Sequence, residues 1–133
     1  MPSKLGKYKL IRTLGKGAFS TVKLGLNTED GNYYAVKIHR ADTADQSTLE
    51  IVGQEAKAVS MLKHPNIVNI VEYLPKAVVE KSNGTSYEVK CVIIDELAEG
   101  GELFYYVKNS GHFEERFARY FFRQIIEGLE YVH

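Results

Sequence analysis

The residues from Tyr8 to Ile38 alternate in the manner of strands, and this stretch limits the fold more than any other. Tyr8–Leu14 is a β-rich run that stops at Gly15-Lys16-Gly17; Val22, Leu24 and Leu26 then alternate with polar or small residues. Asp30-Gly31 is a tight-turn signal, and Tyr33–Ile38 is the third run. Side chains on a strand point to its two faces in turn, so short period-two runs joined by tight turns describe an antiparallel sheet.

At Ser47 the period changes to that of a helix. Ser47-Thr48-Leu49-Glu50 fits a capping box, with Ser47 as N-cap and Glu50 reaching back. Leu49, Val52, Ala56, Val59 and Leu62 form one apolar stripe, and Pro65 ends the run. Glu55 falls inside that stripe. A carboxylate on a buried face needs a cation or carries a large desolvation cost. Asn69–Leu74 and Ser86–Ile94 read as two more strands, joined through Asn83-Gly84. After the break at Gly100-Gly101 a short helix is expected from Glu102 to Asn109. A longer one follows, with Ala118, Phe121, Phe122, Ile125, Leu129 and Val132 on one face. The expectation is an α+β fold: a five-stranded antiparallel sheet with one helix packed on it, then two helices.

Composition narrows the function classes. The 133 residues carry 17 basic and 17 acidic side chains, so no overall field points to nucleic acid or an anionic membrane. Cys91 is the lone cysteine, which excludes a disulfide within the chain and favours a reducing compartment. No apolar run approaches the ~20 residues that span a bilayer, and the amino terminus lacks the apolar stretch of a signal peptide. The expectation is a soluble, intracellular, cytoplasmic protein that binds neither nucleic acid nor membrane.

Two motifs carry chemistry. Leu14-Gly15-Lys16-Gly17-Ala18-Phe19-Ser20-Thr21-Val22 joins strand to strand. Paired glycines let a backbone approach phosphates without Cβ atoms in the way, although a plain hairpin turn accounts for them equally. A Walker loop needs Gly-Lys-Ser/Thr leading into a helix, and a Rossmann loop also leads into a helix, so neither fits. In Tyr34-Ala35-Val36-Lys37-Ile38, alternation sends Ala35 and Lys37 to one face. A small residue beside a cation suits a planar base next to its phosphates. An ordinary strand with an exposed lysine satisfies the same residues, and Glu55 is what favours an ion pair with Lys37. The alternative is a Glu55 side chain turned out to solvent.

Together these residues resemble the protein kinase family. Gly15-x-Gly17-x-x-Ser20-x-Val22 is similar to its glycine-rich loop, with Ser20 in place of the usual third glycine. Tyr34-Ala35-Val36-Lys37 is similar to the Val-Ala-Ile-Lys motif, and Glu55 lies nine residues before His64-Pro65-Asn66-Ile67-Val68, as the family's helix-C glutamate does. Glu99-Gly100-Gly101-Glu102-Leu103-Phe104 resembles the segment after the hinge, and Phe122–His133 the long helix that precedes the catalytic loop. The Gly-Gly-Glu-Leu-Phe and Arg-Gln-Ile-Ile words are most similar to serine/threonine kinases of the calmodulin- and AMP-dependent group.

The resemblance implies a kinase amino-terminal lobe over about residues 8–96 and the hinge with two helices of the second lobe over about 97–133. It implies an ATP site made of Leu14, Gly15, Gly17, Phe19, Ser20, Val22, Ala35, Lys37, Ile94, Glu96, Leu97 and Glu102. Lys37 would hold the α- and β-phosphates, positioned by Glu55, and Glu102 would meet ribose or a basic residue of a peptide substrate. Counting along the strand makes Ile94 the gatekeeper beside the adenine, with a one-residue hinge insertion; counting back from Gly100 makes it Asp95. A charged gatekeeper carries a desolvation cost, which favours Ile94. Leu74–Tyr87 is longer than the family's connection, as an extended hairpin would be.

The family's catalytic His-Arg-Asp loop and its Asp-Phe-Gly metal site are expected after His133, so no catalytic residue and no metal ligand is expected here. Mg²⁺ is expected for the family alone. Asp30, Asp42 and Asp45 read as turn and capping residues. The expected function is that of a protein serine/threonine kinase represented by its amino-terminal part and inactive on its own, with ATP and a protein substrate or the missing lobe as partners. The rival readings are an inactive short nucleotide-binding or kinase-regulatory module, and a gene remnant.

Overall fold

A computed structural model describes residues 3–39, 46–111 and 114–133. The elements in chain order are β1 (Ser3–Leu5), β2 (Tyr8–Lys16), β3 (Ser20–Asn27), β4 (Tyr33–His39), α1 (Gln46–Ser60), β5 (Ile70–Glu80), β6 (Ser86–Glu96), α2 (Leu103–Ser110) and α3 (Glu115–Val132). The fold is α+β, as the change of period implied.

The strands pair antiparallel throughout and close on themselves in the order β1-β2-β3-β4-β6-β5. The closing strand, β1, is absent from the periodicity reading because three residues are too few to show a period. It pairs Lys4 with Lys9 on one side and with Glu80 on the other. Its Leu5 is buried at the barrel end, so closure adds an apolar side chain to the core and removes a sheet edge.

The core follows from alternation. Val36 pairs with Ile94 and Ile38 with Val92, and these four side chains point inward with Leu5, Tyr8, Leu10, Val79 and Val89. Gly25 lies opposite them because a Cβ there would come within 2.5 Å of Val36 Cγ2. The extended hairpin expected between Leu74 and Tyr87 is present: pairing runs out to Glu80 and Ser86. Its turn is held by Asn83 Oδ1, which accepts from the Thr85 backbone N–H at 3.0 Å, and Gly84 takes φ +86°. At the other turn, Asp30 Oδ1 accepts from the Asn32 backbone N–H at 2.8 Å and Oδ2 from the Tyr34 hydroxyl at 2.6 Å. Asp42 and Asp45 lie outside the described residues.

Helix α1 begins at Gln46, so Ser47 stands in its first turn rather than at the N-cap, and it ends at Ser60, five residues short of Pro65. It lies on the outer face of β5 and β6 through Leu49, Gly53 and Ala56, all buried. Gly53 sets how the helix sits, since a Cβ there would meet the Tyr73 hydroxyl at 2.2 Å. Helix α3 touches the turn after α1. Gly128 packs against Asn66, the Tyr131 hydroxyl accepts from the Lys63 backbone N–H at 3.0 Å, and the Asn66 amide donates to Glu127 Oε2 at 3.3 Å. Among the described residues no helix is long and apolar enough to cross a membrane.

Candidate functional site

The site begins with a hairpin. Gly15 pairs with Val22 and Lys16 with Thr21, and the Gly17 N–H donates to the Ser20 carbonyl at 2.8 Å, leaving Ala18 and Phe19 at the tip. Phe19 is 60% exposed. Leu14 falls at a register shift between Thr13 and Gly15 and is exposed. Neither Gly15 nor Gly17 has a positive φ, and a Cβ at Gly15 would meet nothing within 4 Å. Internal packing therefore does not demand these glycines, which leaves open space above the backbone for a ligand.

The hairpin's second strand runs beside β4, pairing Val22 with Lys37, Leu24 with Ala35 and Ser20 with His39. Alternation places Ala35, Lys37 and His39 on the face opposite the core residues Val36 and Ile38. Where the hairpin tip, β4 and α1 meet there is a recess of about 260 Å³ lined by Ala18, Phe19, Ser20, Lys37, His39, Leu49 and Val52. Thus Phe19, Ser20 and Lys37 are brought together, with Val22 and Ala35 on the adjoining sheet face.

Two expected residues are placed elsewhere. Ile94 pairs with Val36, is fully buried and belongs to the core, so it does not face the cleft. Asp95 pairs with Ala35 and so shares its face, as the alternative counting back from Gly100 has it. The reason is period two: a residue opposite Val36 cannot share a face with Ala35. The carboxylate is half-buried there. Burial pushes Asp95 above the usual aspartate value, and the Lys37 ammonium partly offsets this.

Glu55 is the second correction. It is exposed, and among the described residues no ion pair joins it to Lys37. Gly53 against Tyr73 centres the helix contact on Leu49, Gly53 and Ala56, which turns Glu55 to solvent. Glu96 pairs with Tyr34, and its backbone N–H donates to the Asn69 carbonyl at 2.9 Å. Its side chain borders a larger groove of about 1030 Å³ that lies between Pro65–Val68 and the two last helices. That groove is mostly aromatic and aliphatic and holds no lysine or arginine, so size does not mark it as a phosphate site. Leu97 is half-buried and Glu102 exposed just before α2, and neither lines the recess at Lys37 or this groove. Among the described residues no three His, Cys, Asp or Glu side chains gather, so these residues do not fit Mg²⁺ by themselves.

Sequence reasoning missed His39, whose side of β4 follows from alternation once Ala35 and Lys37 are assigned to the cleft face; Asp95 it held only as the alternative to Ile94. His39 is 8% exposed, and its Nδ1 lies 3.2 Å from the Cys91 carbonyl oxygen. Burial pushes the imidazole below its usual value, and Lys37 adds to that. Cys91 has φ +62° and falls opposite Pro75, which has no N–H to give to the ladder. The buried thiol is pushed up, partly offset by a hydrogen bond with the Tyr73 hydroxyl.

Comparison with known proteins agrees with this architecture. Residues 8–133 match the protein kinase domain family, and the chain belongs to that family. It is 33% identical to CBL-interacting serine/threonine-protein kinase 9 of Arabidopsis thaliana over 98% of this chain and 27% of that protein. It is 35% identical to serine/threonine-protein kinase SIK1 of Mus musculus over 99% of this chain and 16% of that one. Probable serine/threonine-protein kinase MARK-C of Dictyostelium discoideum is 35% identical over 97% of this chain and 16% of its own length. The chain therefore spans about a quarter or less of the length of these relatives. Each of these relatives is named as a serine/threonine kinase, and the antiparallel sheet with its helices is like the amino-terminal lobe of a protein kinase domain.

Proposed function

We propose that the chain is the ATP-binding part of a cytoplasmic protein serine/threonine kinase, with residues 8–96 as the nucleotide lobe and 97–133 as the hinge and the start of the second lobe. One observation carries the reading: Lys37 and the hairpin tip Ala18–Ser20 share a recess next to the apolar face of Val22 and Ala35. That juxtaposition suits a flat base under the hairpin with its phosphates against an ammonium. Leu14 and Val22 would cover the base, and Leu97 and the backbone near Glu96 would flank it. Glu102 would meet ribose or a basic residue of the protein substrate.

Acting alone, these residues bind nucleotide without transferring phosphate. Phosphoryl transfer depends on a base, a metal clamp and fixed geometry, which the described residues do not assemble. With one side of the cleft contributed here, affinity near millimolar, about −4 kcal/mol, is expected. Calorimetric titration with ATP tests the reading. Weak binding that Lys37→Met abolishes supports it, and micromolar affinity indifferent to Lys37→Met overturns it.

A further inference from the structure

The recess under the hairpin tip holds a second titratable nitrogen beside Lys37, and its chemistry extends the ATP-site reading on which this inference rests. We propose that His39 is a phosphate-binding residue that takes up a proton when a nucleotide di- or triphosphate enters, so that binding strengthens as pH falls.

The tautomer is fixed by the hydrogen bond. A carbonyl oxygen only accepts, so the nitrogen facing Cys91, Nδ1, carries the hydrogen. In the neutral ring, Nε2 on the far side is then a lone pair, and among the described residues nothing partners it. His39 is more than nine-tenths buried, yet it lines the recess with Ser20 and Lys37. A lone pair aimed at phosphate oxygens is repulsive, whereas a protonated Nε2 donates a charge-assisted hydrogen bond to them.

The groups around the ring set the balance. From β4 comes Lys37, from β6 the Cys91 carbonyl, from α1 the apolar Leu49 and Val52, and from the hairpin Ser20. No acidic residue lines the recess among those described. Burial and Lys37 therefore favour the neutral ring until an anion arrives. The anion reverses both influences: it screens Lys37 and gives the second N–H a partner. One proton then passes from solvent to Nε2 as the ligand binds. The sign follows: the gain in affinity is complete below the free protein's His39 value, itself under the usual 6.5, and is lost as pH rises through the bound value.

The test titrates the chain with ADP and with inorganic triphosphate across the histidine range, in wild type, His39→Gln and Lys37→Met. Comparing variants cancels the ligands' own ionisation and that of the other three histidines. Wild-type affinity is expected to rise about tenfold more than that of His39→Gln on acidification, corresponding to an imidazole shift of about one unit. Lys37→Met is expected to bind weakly at every pH. No wild-type binding at any pH overturns the ATP-site reading and this inference with it. Binding that needs Lys37 but has the same pH slope in wild type and His39→Gln overturns the His39 role alone. Should His39→Gln not fold, imidazole titration of the wild type by nitrogen-detected resonance decides: a His39 midpoint that ADP leaves unmoved refutes the proposal.

Discussion

The barrel and the last two helices solve the burial problem differently. Each barrel strand finds partners within the chain, and nine of its side chains form a closed core. Helix α2 buries no residue and α3 only Gly128, although Phe104, Tyr105, Phe122, Ile125 and Leu129 are large and apolar. Helix α3 is amphipathic, yet its stripe lies against the open groove rather than against another element. Amphipathic period thus states that a helix has an apolar face, not that the same chain covers it. The energetic consequence is large, since full burial of each such side chain contributes about 1.5–3 kcal/mol.

The widest gap between the two regions is expected in hydrogen exchange. Amides of Val92 and Ile94 should exchange only with global unfolding, and those of Phe121–Leu129 orders of magnitude faster. Equal protection in β6 and α3 of a monomer in sedimentation would break the contrast, whereas protection of α3 in an oligomer would show that another copy covers it.

Truncation should separate the regions next. Ile94→Ala removes a fully buried side chain and is expected to cost about 2–5 kcal/mol in denaturant unfolding; Phe122→Ala should stay within about 0.5 kcal/mol. A smaller contrast sits in two helical glycines. Alanine at Gly53 gains about 1 kcal/mol of helix propensity but drives a methyl into the Tyr73 ring, so a net loss of about 1 kcal/mol is expected. At Gly128 the nearest atom is Asn66 O at 3.2 Å, and Gly128→Ala should be close to neutral. A loss at Gly128 matching that at Gly53 would show that α3 is docked as firmly as α1.

The smallest effect belongs to Asp95. Its folded value is raised by burial, so ionisation costs stability above that value and nothing below the ordinary 3.8. Asp95→Asn should stabilise the chain at neutral pH by under about 1 kcal/mol, discounted for its partial exposure, with the gain fading on acidification. Thermal unfolding across that range checks the sign: a constant gain, or a loss at neutral pH, contradicts a desolvated carboxylate.

Much of this was legible before any coordinates. Strand alternation, the turns at Asp30-Gly31 and Asn83-Gly84, and the side of β4 that carries Ala35 and Lys37 all follow from local rules. The failures share a cause. Glu55 lay within the apolar stripe on the wheel, but the true contact face includes Gly53, a residue that hydropathy does not score. Ile94 was favoured over Asp95 on desolvation cost, whereas register decides which side chain faces the cleft and Lys37 on that face offsets part of the cost.

By itself, then, the sequence determined the longer strands and the helices, their antiparallel sense and the family resemblance, because period, turns and motif spacing are properties of neighbours along the chain. Tertiary structure alone decided that three residues at the start close the barrel, that Tyr73 against Gly53 turns Glu55 outward, and that His39 stands beside Lys37 under the hairpin. Those outcomes depend on which surfaces meet, and contact between residues distant in the chain is set by volume and register rather than by any local preference.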